Sequence, residues 1–245
     1  MINRYRGLVF LTMFSIVFLV YSCLLPINDR KRLKYSYSHQ GLRSIPDSVF
    51  KKKNLQVLDL FRNNIDSIPD AIENLTELEE LYLGSNKLVY ISPKIASLKK
   101  LKILSLQFND LLELPESVCE LESLEQLLAA NNLLSELPPN IGKLKSLERL
   151  TLNYNQLKEL PSEIGLCTSL RFLNLSMNAL EKIPESMGEL PYLNELQLNG
   201  AGFMVSIPES FCTNRSLEVL VCDRTTVLPS CLIVRQTTRL KIIYR

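Results

Sequence analysis

The chain has 245 residues, 46% of them hydrophobic, and a formal net charge of +2 at pH 7. This composition is that of an ordinary foldable chain and supports one elongated domain. The near-neutral balance excludes the strong charge excess that would by itself indicate a nucleic-acid or membrane-surface partner.

Residues 1–22 have the three-part organisation of a leader. Arg4 and Arg6 precede an uncharged apolar run from Gly7 to Tyr21, and Val20-Tyr-Ser-Cys23 follows. A basic end, a short apolar centre and a small residue before a cleavage point are typical of a signal peptide. The tetrapeptide resembles a bacterial lipobox, and that resemblance implies that Cys23 is diacylated and anchors a lipoprotein in the cell envelope.

A single-pass membrane anchor is the alternative interpretation of the same segment. No charge occurs between Gly7 and Asn28, and an apolar run of that length can span a bilayer. Residues 23–34 are predicted to be a basic tether that includes Arg30 and Lys31. Positive charge after an apolar run favours a cytoplasmic position, so the residues after an uncleaved anchor would face inward.

Residues 35–54 contain a partial copy of a pattern that recurs every 23 residues. Tyr35 and Tyr37 are predicted to mark its strand, and the polar residues around them suit the exposed end of a solenoid. The segment is therefore interpreted as an N-terminal cap. Its apolar residues precede their counterparts in the next unit by 23 positions: Leu42, Ile45, Pro46 and Val49 correspond to Ile65, Ile68, Pro69 and Ile72.

Residues 55–216 contain the complete repeats. Their first leucine recurs at Leu55, Leu78, Leu101, Leu124, Leu147, Leu170 and Leu193, and an asparagine at Asn63, Asn86, Asn109, Asn132, Asn155 and Asn178. Self-similarity at such a period indicates a solenoid. The pattern L-x-x-L-x-L-x-x-N-x-L resembles the leucine-rich repeat family. Its Leu-Pro-x-x-Ile half, as in Leu160 to Ile164, is similar to the 23-residue class of intracellular Ras-binding and plant repeat proteins.

The resemblance implies an α/β solenoid: a leucine-rich repeat horseshoe with a parallel concave sheet and an irregular or short-helical convex side. The same arrangement follows from alternation along the strand, which points Leu150 and Leu152 inward and Arg149 and Thr151 outward. Stacking should align Leu104, Leu127, Leu150 and Leu173 in one row beneath the sheet. The asparagine is predicted to bond backbone groups in its own and the next repeat.

The repeat that begins at Leu193 is irregular. Asn199 to Phe203 carry one inserted residue, and Ala201 stands where an asparagine is expected. Two interpretations remain open, a loop that projects toward a partner and decay of the pattern near its end. Residues 217–245 are interpreted as a degenerate repeat and a C-terminal cap, whose last segment, Arg239 to Arg245, should cover the final strand.

Catalytic and metal-binding motifs are not found in the sequence. His39 is the single histidine, and no nucleophile, metal-protease or phosphate-loop motif occurs, so we predict a protein that is not an enzyme and takes no cofactor or metal. Cys167 and Cys222 are predicted to be small apolar core residues. Whether Cys212, Cys222 and Cys231 form a disulfide stays open, because the odd cysteine count gives no framework.

The concave face is defined by the two outward strand positions beside the central leucine and the two residues after the third leucine. Acidic and basic residues balance there, which disfavours a nucleic-acid partner. Aromatic residues and arginine typically anchor protein interfaces. The candidate partner-binding residues are Phe61, Tyr82, Phe108, Arg149, Tyr154 and Phe172, although packing between repeats is an equally good explanation for each aromatic ring.

These features predict a membrane-tethered module that recognises a protein through its concave face. Two alternatives stay open. In the first, the solenoid is a structural or adhesion element of the envelope that binds glycan. In the second, it is a cytosolic-facing scaffold for a small GTPase; this second alternative is implied only by the resemblance to the Leu-Pro-x-x-Ile class.

Overall fold

The computed structural model describes residues 32–235 and 239–245. Lys34 to Arg245 form one compact unit. The leader predicted at residues 1–22, the lipidation site Cys23 and nearly all of the basic tether lie outside the described residues. In the part of the chain that the structure describes, no helix is both long and apolar enough to cross a bilayer.

A ten-stranded parallel sheet runs the length of this unit. The order of its strands is β1-β2-β4-β6-β7-β8-β9-β10-β11-β12, and a separate two-stranded sheet consists of β3 and β5. The ten strands are β1 (Lys34–Ser36), β2 (Val57–Asp59), β4 (Glu80–Tyr82), β6 (Ile103–Ser105), β7 (Gln126–Leu128), β8 (Arg149–Thr151), β9 (Phe172–Asn174), β10 (Glu195–Gln197), β11 (Val219–Cys222) and β12 (Lys241–Tyr244). The two others are β3 (Ser67–Ile68) and β5 (Tyr90–Ile91).

The register of the sheet confirms the predicted alignment of the leucines. Leu104 lies opposite Leu127, Leu127 opposite Leu150, and Leu150 opposite Leu173. All four side chains are completely buried. Because a three-residue strand buries few side chains, each repeat depends on its neighbours for a core, and the row of leucines contributes to that core.

Short helices return the chain from the end of one strand to the start of the next. A proline precedes or begins most of them, where its fixed φ and missing N–H suit the first turn. Seven are 3-10 helices: Asp70–Asn74, Pro93–Ser97, Glu116–Glu120, Ile141–Lys143, Ser162–Leu166, Glu185–Glu189 and Glu209–Cys212. Two are α-helical, Asp47–Phe50 and Ser230–Arg235. The expected short-helical convex side is therefore confirmed.

The asparagines form a ladder and bond main-chain groups in their own repeat, as predicted, but the second repeat that they contact is the preceding one and not the next. Asn86 donates from Nδ2 to the carbonyl of Leu83 in its own repeat and to that of Leu60 in the preceding repeat, both at 3.0 Å. Its Oδ1 accepts the N–H of Ile65, also in the preceding repeat. The prediction of bonds to the next repeat is therefore wrong, because the turn whose main-chain groups need partners belongs to the preceding repeat.

The irregular repeat replaces the ladder asparagine with main-chain atoms. The carbonyl of Ala201 accepts the N–H of Leu180 at 2.6 Å, and the N–H of Ala201 donates to the carbonyl of Leu198. Ala201 is fully buried. The turn of the preceding repeat is thus satisfied without an amide side chain, and the stack continues into β11 and β12.

A disulfide joins the last two helices. Cys212, at the end of Glu209–Cys212, is bonded to Cys231 in Ser230–Arg235, with 5.6 Å between their Cα atoms. This resolves the pairing that the odd cysteine count left open. Cys222 is a free buried thiol, as are Cys119 and Cys167. Cys167 and Cys222 are therefore core residues, as the repeat pattern predicts.

Candidate interaction face

Side chains on the concave face are hydrogen-bonded to one another along and across the strands. Tyr82 donates its hydroxyl to Glu80 at 2.9 Å, and Gln197 donates to Glu195 at 2.6 Å. The hydroxyl of Ser105 donates to Gln107 at 2.6 Å. Since these bonds fix rotamers before any partner arrives, the face is a preorganised surface.

The residue before each ladder asparagine has a left-handed backbone. Its φ lies between 54° and 58° at Arg62, Ser85, Phe108, Asn131, Tyr154 and Met177. We call this set the rim row. Non-glycine residues rarely adopt such angles unless the surrounding structure imposes them.

Two predicted binding residues belong to the rim row. Phe108 exposes 56% of its surface and Tyr154 exposes 53%, although both are large aromatic residues. More than half of the surface of each residue is therefore accessible to a partner. Sequence analysis placed both on the concave face but did not predict the backbone angle, for which their position directly before the asparagine was the available signal.

Phe61 packs largely against its own neighbours. Its ring fills the space that a side chain on Gly84 would occupy, since a Cβ built there would lie 3.2 Å from Cδ2 of Phe61. The imidazole of His39 meets the ring edge-on, with 5.7 Å between centroids. One face of Phe61 is therefore committed to the adjacent repeats, and the other remains at the surface.

Arg149 and Phe172 form a pair across two consecutive repeats. The guanidinium carbon of Arg149 lies 4.1 Å from the centroid of the Phe172 ring. Such stacking holds the long arginine side chain in place. Tyr154 lies on the same face, two residues after the third leucine of the repeat that carries Arg149.

The six predicted residues are thus spread over the face and do not form one cluster. Phe61 and Tyr82 lie in the first two complete repeats, and Tyr82 is half-buried. Phe108 and Tyr154 lie on the rim row, and Arg149 with Phe172 on the strands β8 and β9. A partner that contacts all six must extend along the sheet.

Exposed apolar residues near the insertion were missed as candidate binding residues. Phe203 exposes 89% of its surface, and Met204 and Met177 are also exposed. Beside them is an open cavity of about 630 Å³, whose lining includes Leu180 and Gly202. The inserted residue was the available signal, and sequence analysis left open whether it marks a binding loop.

One group of side chains has metal-ligand atoms close together. A carboxylate oxygen of Glu209 and the sulfur atoms of Cys212 and Cys231 lie within 4.8 Å of one another. The two sulfur atoms are joined as a disulfide. Because thiolates are the metal-binding form of cysteine, this arrangement offers no thiolate ligand while the disulfide is intact.

Comparison with family models identifies the class of protein. Residues 38–88 and residues 169–190 each match a model described as leucine-rich repeat. No curated protein is a match for the chain. The segments that match, the 23-residue register and the ten-stranded sheet show that this chain contains leucine-rich repeats and has the leucine-rich repeat fold.

Solved structures extend the similarity over most of the chain. A leucine-rich repeat protein of Leptospira interrogans is 27% identical with a TM-score of 0.67, over 86% of this chain and 60% of that one. A plant peptide hormone receptor, RGFR1 in complex with RGF2, is 28% identical with a TM-score of 0.71, over 87% and 37%. An internalin of Listeria monocytogenes, at 20% identity and a TM-score of 0.72 over 86% and 60%, shares the fold alone. This chain therefore spans less than two thirds of each of these proteins.

Proposed function

We propose that this chain is a membrane-tethered interaction module that binds a protein partner along its concave face. The observation that carries the proposal is the rim row, in which Phe108 and Tyr154 each expose more than half of their surface, on the same face as the stacked pair of Arg149 and Phe172. Aromatic residues and arginine are the types that most often anchor protein interfaces. The leucine-rich repeat class, with structures such as a hormone receptor in complex with RGF2, supports the same function.

The form of the face favours an elongated partner. Its candidate residues extend from Phe61 in the first complete repeat to Phe172 in the sixth, and consecutive strands lie about 4.8 Å apart. An extended or helical segment would meet several of these residues in turn. Acidic and basic side chains alternate along the face, which disfavours a nucleic acid as the partner.

Glycine substitutions test the face without confusing binding with folding. Glycine adopts the left-handed backbone at no steric cost, so Phe108→Gly and Tyr154→Gly remove a ring and also relieve strain. We expect the double variant to be as stable as the parent in urea unfolding, and to lose at least about tenfold in affinity for a partner captured from its native cells. Unchanged affinity in the double variant contradicts the assigned face.

A matched control and a glycan test complete this experiment. Leu166→Gly removes an exposed apolar side chain from the helix Ser162–Leu166, outside the concave face, and should leave affinity unchanged. Binding on a glycan array with no protein partner would instead support the envelope adhesion alternative.

The membrane tether rests on the sequence of the leader. We propose that Cys23 is cleaved from its signal peptide and diacylated, which places the repeats outside the cytoplasm. The disulfide between Cys212 and Cys231 supports that location, because disulfides persist in oxidising compartments. Mass spectrometry of the mature N-terminus should find diacylated Cys23, whereas an intact Met1 would support the single-pass anchor.

A further inference from the structure

A second apolar surface lies on the flank of the solenoid. The chain segment between each ladder asparagine and the following return helix forms this flank, which includes the small sheet of β3 and β5 and is separate from the ten-stranded sheet. Four apolar residues there expose between 38% and 63% of their surface. They are Val89, Tyr90, Leu112 and Leu133, and we call them the flank patch.

The flank patch is continuous across three consecutive repeats. Val89 and Leu112 occupy equivalent positions, 23 residues apart. The N–H of Leu133 donates to the carbonyl of Leu111 at 2.9 Å, which places Leu133 beside the segment that carries Leu112. Tyr90 follows Val89 directly in the chain and belongs to β5. These four side chains therefore belong to one surface and are not isolated apolar residues.

The fold does not require apolar residues at these positions. The other four regular repeats, those before the irregular one that begins at Leu193, have charged or polar residues at the positions of Val89 and Leu112, namely Asp66, Ser135, Lys158 and Glu181. Their backbone follows the same path through the flank. Since polar side chains serve the solenoid equally well there, the contiguous apolar residues of the flank patch point to burial against something outside this chain.

Acidic side chains surround the flank patch. Asp66 and Asp110 are the equivalents of Val89 and Leu133 in the preceding repeats, and both are exposed. Glu113 and Glu136 are the equivalents of Tyr90 in the next two repeats, and both are exposed. The basic residues of the surroundings are Lys87 and Lys158, and the latter is the equivalent of Leu112 in the repeat that follows the patch; both are exposed. The charge around the patch is therefore predominantly negative.

We infer that the flank patch binds a segment of a different protein that combines apolar with basic side chains. Two other occupants are disfavoured by charge. A second copy of this chain, docked patch to patch, would bring the two sets of acidic residues together, and like charges across an interface oppose association. An anionic lipid surface would repel the same carboxylates. A segment with apolar and basic side chains would pack against the patch and pair with the carboxylates around it. The flank patch is thus a binding site separate from the concave face.

Site-specific crosslinking in the organism's own cells tests this inference. A photoreactive phenylalanine derivative replaces Leu112 in the full chain, and mass spectrometry identifies the crosslinked segment. We expect a segment of another protein that contains apolar residues together with lysine or arginine. The variant Glu113→Gln with Glu136→Gln should lower the crosslink yield severalfold, because it removes the charge that attracts the segment.

Two controls separate this site from the concave face and from general surface contact. The same photoreactive residue at Leu166, an exposed leucine on a return helix, reports the background. Tyr154→Gly should leave the Leu112 crosslink unchanged even if it abolishes binding to the concave face. Crosslinks to a second copy, to lipid or to a segment without basic residues overturn the inference, as does a yield no higher than that at Leu166.

Discussion

Each ladder asparagine satisfies main-chain groups that lie in a turn closed to water. Asn132 accepts the N–H of Leu111 at 3.1 Å and donates to the carbonyls of Leu106 and Ala129 at 2.9 and 3.1 Å. It exposes only 6% of its surface. Asn132→Ala should therefore lower the free energy of unfolding by about 2–3 kcal/mol, because these groups lose their partners while they stay buried. Urea unfolding measures the loss.

Asn140 is a suitable control for this substitution. It is exposed at the start of a return helix, where its side chain makes no capping bond. Asn140→Ala should change the free energy of unfolding by no more than about 0.5 kcal/mol. Equal free energies of unfolding for the two alanine variants would show that the side-chain bonds of the ladder asparagine do not stabilise the fold.

Burial raises the pKa of three free thiols. The pKa of Cys167 and of Cys222 rises from 9.0 to about 11, chiefly by desolvation, and that of Cys119 rises to about 12. The unfolded chain ionises these thiols first, so the stability they contribute is complete below pH 9 and is lost as pH rises toward 11. Urea unfolding should show this decline, and Cys167→Ala should reduce its slope.

Thiol labelling gives a second test of the same burial. The native protein should react slowly with a thiol reagent at pH 8 and should react quickly after unfolding, because the thiolate is the nucleophile. Rapid labelling of all three cysteines in the native state would show that the core is open at these positions.

Sequence periodicity predicts the buried leucines and the asparagine positions, but not all of their geometry. Strand alternation alone places Leu150 inward and Arg149 outward. Periodicity does not show whether an asparagine bonds to the repeat before it or to the repeat after it. The sequence analysis therefore assigns its second set of bonds to the next repeat, whereas Asn86 contacts the preceding one. It also does not predict the left-handed angle at Tyr154, because aromatic residues rarely adopt it and only the closed turn around them imposes it.

The disulfide contributes more to the stability of the C-terminal helix than the hydrogen bonds of this short helix do. Ser230–Arg235 has six residues and buries Leu232, and such a short helix is not stable by itself. The disulfide from Cys231 to Cys212 closes a loop with a sequence separation of 19. Its removal should cost about 3 kcal/mol, by the entropy of a loop of this size.

The variant Cys212→Ser with Cys231→Ser tests that contribution. We expect lower stability in urea and faster hydrogen exchange in β12, which is adjacent to the helix in the chain. A reductant should produce the same change in the parent protein and none in the double variant. Equal stability of parent and variant would mean that packing alone secures the C-terminal helix.

The sequence predicts the strands and the return segments better than it predicts the segments that connect them. The Leu-x-Leu spacing indicates most strands of the large sheet, and the Leu-Pro-x-x-Ile half indicates an irregular or short-helical return segment. The segments between them have no regular spacing. Consequently the sequence analysis does not predict the strand pair β3 and β5, and it does not predict the exposure of Val89 and Leu112, which directly follow the buried residues Leu88 and Leu111.

The complete stack has two ends with different constraints. At the C-terminal end, β12 pairs with β11 close to the disulfide-linked helix. At the N-terminal end, β1, which precedes the first complete repeat, pairs with β2 of that repeat. Because each repeat contacts only its neighbours, stability depends on position along the stack, and the N-terminal end should open first.

Equivalent leucine substitutions at the end and in the middle test this dependence. Leu58 and Leu127 are the central residues of β2 and β7, and each replacement by alanine removes the same buried side chain, at a cost of about 2–5 kcal/mol. In hydrogen exchange, Leu58→Ala should reduce protection in β1, β2 and β4 while β8, β9 and β10 keep theirs. Leu127→Ala should reduce protection on both sides of β7. An equal loss in all strands from Leu58→Ala would instead show that the solenoid unfolds as one indivisible unit.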